Sequence, residues 1–107
     1  PCGLTQLYGL RYGTLPIVRR VGGLADTVQP IAGARGTGFL FDDATAPALA
    51  EAIGAALRLY RTPAAWQAAM RRAMAQDFSW ARAAHAYDTV YAQALAARSE
   101  HPRGLVD

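Results

Sequence analysis

The sequence predicts an α/β fold in which short parallel strands are followed by a helix-rich second half, the tail of a doubly wound sheet. Two observations lead there. Residues 1–43 are rich in glycine and β-branched side chains, whereas residues 44–98 hold most of the alanines and almost no glycine. Within the first part, a helix-like segment leads into one brief apolar run and a loop leads into another. At 107 residues the chain has room for one modest core and no second full domain.

Each element has its own signal. In residues 5–12, Leu7 and Leu10 stand three apart and Tyr8 and Tyr12 four apart, with Gly13 placed to close a helix in the left-handed conformation. LPIVR, residues 15–19, is short, apolar and β-branched at Ile17 and Val18, with Pro16 tolerable near its start, so it reads as a buried parallel strand. GGLADTV makes a loop with at most one turn, with Asp26 or Thr27 as a local cap, QPIAGARG is irregular, and GFLFD (38–42) is a second strand.

Asp43 or Thr45 can cap the next helix, in which Leu49, Ala52, Ile53, Ala56, Leu57 and Tyr60 form one face to cover the sheet. Thr62 followed by Pro63 starts another, with Trp66, Met70 and Met74 in steps of four as a core stripe. In DFSW, Ser79 caps a last helix over 80–97, with Asp77, Phe78 and Trp80 forming a cap and hydrophobic staple, and Trp80, Ala84, Tyr87, Tyr91, Ala94 and Leu95 facing inward. Residues 99–107 are expected to be a flexible tail after the domain of residues 1–98. Two strands cannot make a stable open sheet, because both edges stay exposed, so the segment is expected to be a piece of something larger or to associate with itself.

Composition narrows the function classes. A hydrophobic share of 52% against 18% charged residues suits a globular chain, and no apolar run nears the roughly 20 residues a bilayer span needs. All eleven basic residues are arginine, giving a net charge of +3, but they are scattered instead of clustered in a stripe with aromatics, so no nucleic-acid or membrane partner is expected. Cys2 has no second cysteine to pair with, which favours a reducing compartment, and the cytoplasm is the expected location. His85 and His101 lack metal-ligand spacing, so neither a metal nor another cofactor is expected.

The opening PCGLTQLYG carries the chemistry. A glycine turn running into a helix start gathers backbone N–H groups and the positive end of the helix dipole at one point, which suits a phosphate. Cys2, Gly3, Leu4 and Thr5 are the candidates, with Gly3 allowing close approach and Thr5 offering a hydroxyl. The alternative is a plain helix cap at Thr5, and the local pattern leaves both open.

The string PCGLTQLYGLRYGTLPIVRRVGGLADTV, followed by GTGFLFDD and MAQDFSW, resembles the end of the bacterial glycogen synthases and the starch synthases, from Pro1 to about Ala96. The resemblance implies a two-domain glycosyltransferase with Rossmann-like domains across a cleft, this chain being the C-terminal part of the second. It implies transfer of glucose from a nucleotide sugar, ADP-glucose, to the non-reducing end of an α-1,4-glucan with retention. Carried over by residue, Cys2 and Gly3 line the glucose end, Leu4 and Thr5 offer N–H groups to the distal phosphate, and Gly22, Gly23 and Leu24 form a second glycine turn at the cleft wall.

The pattern departs from the family at one position, and other family groups fall upstream of this segment. One family carboxylate falls just ahead of Pro1, and a second, linked to the nucleotide ribose, falls on Tyr8, which can contact the nucleotide or simply pack. The basic pair that neutralises the donor phosphates also has no match in these residues. The segment is therefore expected to be inactive alone. A second expectation, of another class, is a non-catalytic interaction module whose sheet edge pairs with itself or a partner.

Overall fold

The computed structural model describes residues 3–33 and 35–100 and divides into two units, one ending at Gln76 and the other starting at Asp77. The first unit holds α1 (Thr5–Arg11), β1 (Ile17–Arg19), α2 (Gly22–Thr27), β2 (Phe39–Phe41), α3 (Ala46–Tyr60) and α4 (Pro63–Met74). The strands are parallel, pairing Ile17 with Phe39, Val18 with Leu40 and Arg19 with Phe41, and Pro30 bridges Gly38 beyond them. The predicted mixed α/β class with short parallel strands is what the chain adopts.

α1 closes as its spacing predicts, with Tyr12 as C-cap and Gly13 at φ +76° behind it. The GGLADTV segment is more regular than expected: it forms α2, a six-residue helix rather than a loop. The Thr27 hydroxyl donates back to the Gly23 carbonyl, one turn earlier in the same helix, at 2.6 Å.

The loop from α2 to β2 is held by the buried Thr37, whose hydroxyl accepts from the Gln29 amide at 3.1 Å while its own amide donates to the Gln29 carbonyl at 3.0 Å. Gly38 sits where backbone and side chains crowd together. A Cβ there would lie 2.6 Å from Val28 Cγ1 and 2.7 Å from the Pro16 carbonyl oxygen.

The core of this unit is Leu10, Leu15, Phe39, Ala69 and Ala73, flanked by Ile17, Ile31, Ala55, Ala56, Leu59, Trp66 and Met70. Trp66 stacks near Phe39, with centroids 6.5 Å apart, and meets Tyr60 edge-on at 5.2 Å. Thr45 caps α3, accepting from the Ala48 amide at 3.4 Å.

The face α3 turns inward matches the expected one at Ala52 and Ala56 and departs from it at the larger residues. Ala52 is buried and Ala55, Ala56 and Leu59 join the core, while Leu49, Ile53, Leu57 and Tyr60 remain exposed. The helix is apolar around most of its circumference, so periodicity allows two stripes, and the one rich in alanine, ending in Leu59, lets the helix approach β2 closely. In α4 the same preference buries Ala69 and Ala73, with Trp66 and Met70 half-buried beside them and Met74 exposed.

The second unit is built on α5 (Trp80–Glu100). Ser79 caps it as predicted, its hydroxyl accepting from the Arg82 amide at 3.3 Å, and the Asp77 carboxylate accepts from the Ser79 amide at 2.8 Å. Phe78, Trp80, Tyr87, Tyr91 and Leu95 are exposed, so among the described residues the expected inward face has no second element of its own unit to cover. Helix continues through Ser99 and Glu100, past the expected end, and the rest of the expected tail, residues 101–107, lies outside the described residues.

Candidate functional site

Of the predicted site residues, Cys2 lies outside the described residues, and the others group at two helix starts. Gly3 has φ +68°, a left-handed conformation that glycine adopts without strain and other residues rarely do. Leu4, not Thr5, is the N-cap of α1; Thr5 is the first helical residue. Leu4 makes no side-chain cap and no acidic residue stands in the first turn. A helix start leaves its leading amides without intrahelical acceptors, so residues 3–5 present backbone donors and a partial positive charge. Leu4, Thr5 and Tyr8 are exposed, and the Tyr8 amide donates back to the Leu4 carbonyl at 3.1 Å, which places Tyr8 one turn along the same helix.

The second group begins just past the carboxyl end of β1. Gly22 has φ +47°, Val21 ahead of it is extended and provides no side-chain cap, and Gly23 and Leu24 are partly buried. Both glycine turns therefore open short helices without a capping side chain.

A residue not singled out from the sequence joins them. The Gln6 side chain is 4% exposed, and its amide nitrogen donates to the Gly3 carbonyl at 3.0 Å and to the Thr27 hydroxyl at 3.3 Å. Thr27 in turn donates to Gly23. A glutamine in the first turn of a polar-faced helix reads as a solvated side chain, and no local signal marks it as buried.

The carboxyl ends of the strands carry a different feature. The Arg20 guanidinium meets Asp42 Oδ1 at 3.0 Å, and Arg19 Nε donates to the Asp42 carbonyl at 3.0 Å. Beside them a cleft of about 340 Å³ is lined by residues including Phe41, Asp43, Glu51 and Arg58, and by none of the predicted site residues. Among the described residues no group of three or more metal-ligating side chains comes together, and no helix is long and apolar enough to cross a membrane.

No family model matches the chain. Similarity to curated proteins is nonetheless extensive. The chain is 54% identical over 96 residues to the glycogen synthase of Thioalkalivibrio sulfidiphilus and 56% identical over 92 residues to that of Rhodospirillum rubrum, in each case over 85% of its own length. The chain is homologous to a segment of glycogen synthase.

The glycogen synthase of Haemophilus influenzae matches at 52% identity. The chain spans about a fifth of the length of these curated relatives, 19–20%. Among solved structures, the catalytic domain of starch synthase IV from Arabidopsis thaliana bound to ADP and acarbose superposes with a TM-score of 0.76 at 33% identity, over 90% of this chain and 21% of that one. The resemblance to glycogen and starch synthases drawn from the opening motif thus holds in sequence and in fold.

Proposed function

We propose that this chain is part of a glycogen synthase, a cytoplasmic glycosyltransferase that moves glucose from ADP-glucose to the non-reducing end of an α-1,4-glucan with retention. The carrying observation is the identity of more than half the residues to glycogen synthases over 85% of the chain. The ADP in the starch synthase IV structure favours the same donor nucleotide, and its acarbose favours a glucan-like acceptor.

Residues 2–5 supply the distal-phosphate and glucose end of the donor site, Gly22, Gly23 and Leu24 its wall, and Tyr8 an edge beside the nucleotide. The chemistry suits the groups available. As the bond from the anomeric carbon to the nucleoside diphosphate breaks, negative charge grows on the leaving phosphate, and backbone donors already aimed there stabilise it without reorganising. By itself the segment carries no activity, since the family's acidic residue and basic phosphate ligands have no counterpart in it.

Calorimetric titration of ADP into the full-length protein tests the assignment. In Gly3→Val a side chain enters a backbone conformation of φ +68° and meets Gln6 Oε1, which is 3.0 Å from an ideal Cβ. Affinity should fall below detection. Thr5→Val removes one hydroxyl and leaves the backbone donors, costing roughly 1.5 to 3 kcal/mol if the hydroxyl meets a charged phosphate. Unchanged ADP affinity in a folded Gly3→Val protein would show that the turn is structural only.

A further inference from the structure

We infer that Gln6 and Thr27 are positioning residues that lock the two glycine turns to each other, so that donor binding depends on a pair of side chains that do not touch the donor. The inference rests on the donor-site reading above. Burying a carboxamide is costly unless its donors and acceptors are met. Gln6 is buried, and both of its N–H groups are committed: one to the Gly3 carbonyl at 3.0 Å, the other to Thr27 Oγ1 at 3.3 Å. Thr27 has a single hydroxyl proton, and that proton goes to the Gly23 carbonyl at 2.6 Å. Its oxygen can therefore only accept from Gln6.

The direction of every bond in the relay is fixed. It runs from the carbonyl of the first glycine turn, through the Gln6 amide and the Thr27 hydroxyl, to the carbonyl of the second. The amide oxygen of Gln6 lies on the Gly3 side, 3.0 Å from where a Cβ on Gly3 would stand. Flipping the carboxamide would place its oxygen against two other oxygens, so the relay has one arrangement. It ties positions 21 residues apart in sequence, and the two turns it ties are those expected to share one ligand. A merely structural glutamine would need to anchor one turn; this one reaches both.

Thr27→Val keeps the shape of the side chain and removes the hydroxyl, Thr27→Ser keeps the hydroxyl, and Gln6→Met keeps the length of the chain and removes the amide. In the full-length protein, amide hydrogen exchange followed on peptides covering residues 3–13 and 20–30 reads the coupling, and ADP titration by calorimetry reads its use. Thr27→Val should speed exchange in both peptides and weaken ADP about tenfold, the loss expected for one buried hydrogen bond. Thr27→Ser should restore both, and Gln6→Met with Thr27→Val should be no worse than either alone.

Faster exchange confined to residues 20–30 would overturn the coupling. Unchanged ADP affinity in Thr27→Val, with normal binding in the parent protein, would overturn the positioning role. Absence of ADP binding in the parent would overturn the donor-site reading, and the exchange arms would then decide the tie by themselves.

Discussion

Two residues show how little room this unit has for substitution. Leu10 is wholly buried at the centre of the core, between Leu15, Phe39 and the alanines of α4. Leu10→Ala removes three carbons, the Cγ methine and two methyls, from that contact and should cost about 2–5 kcal/mol. Gly38 fails in the opposite direction. An alanine Cβ would stand 2.6 Å from Val28 Cγ1 and 2.7 Å from the Pro16 carbonyl oxygen, and that oxygen accepts the Phe39 amide, so it cannot withdraw without loosening the strand pair. Gly38→Ala should therefore destabilise by about 1–3 kcal/mol, the usual penalty for overpacking. Urea midpoints of the two variants against the parent check both numbers, and a Gly38→Ala midpoint equal to the parent's would mean the strand pair yields more easily than its contacts imply.

At the scale of the element, the start of α5 carries a pH dependence. The Asp77 carboxyl is held below its ordinary value of 3.8, first by its hydrogen bonds to Ser79, with a smaller contribution from the nearby Arg82 guanidinium. A carboxyl whose value drops on folding contributes stability above the unfolded value and loses it as pH falls through the lowered one. The cap should thus be intact at neutral pH and loosen on acidification below the ordinary aspartate range. Exchange of the Ser79 and Arg82 amides, followed through an acid titration, should accelerate beyond the intrinsic change in the parent and lack that step in Asp77→Asn. An identical profile in both proteins would remove Asp77 from the cap. The other helices differ in what starts them: α3 has a side-chain cap at Thr45, whereas α1 and α2 have none. A helix start without a cap leaves donors for something outside the helix to satisfy.

On the scale of the whole molecule, the first unit has a two-stranded sheet and an exposed apolar row, Leu49, Ile53, Leu57 and Tyr60, along α3. Unpaired strand edges and an uncovered apolar stripe both favour association. The 107-residue chain should sediment as species larger than 11.4 kDa at tens of micromolar and show no elongation of a glucan primer from ADP-glucose. A single monomeric boundary would contradict the first expectation and contaminant-free elongation the second. The two outcomes are independent, because association follows from surface and activity from which groups meet the donor.

The sequence by itself determined the fold class, the order of most elements and the family resemblance. Strands 15–19 and 38–42 contain the observed β1 and β2, and Gly13, Thr45, Thr62 and Ser79 stand at the helix ends they were expected to mark. Such signals are local: a cap, a β-branched run or a glycine at positive φ acts within a few residues. Tertiary structure alone decided the rest. It made a helix of GGLADT, turned Ala52, Ala55, Ala56 and Leu59 of α3 inward while Leu49, Ile53, Leu57 and Tyr60 stayed exposed, and buried Gln6 between two turns far apart in sequence. Periodicity cannot rank two apolar stripes on one helix, and no spacing rule tells a polar side chain which distant hydroxyl will make its burial tolerable; both depend on close packing and on hydrogen bonds that exist only once the chain has folded.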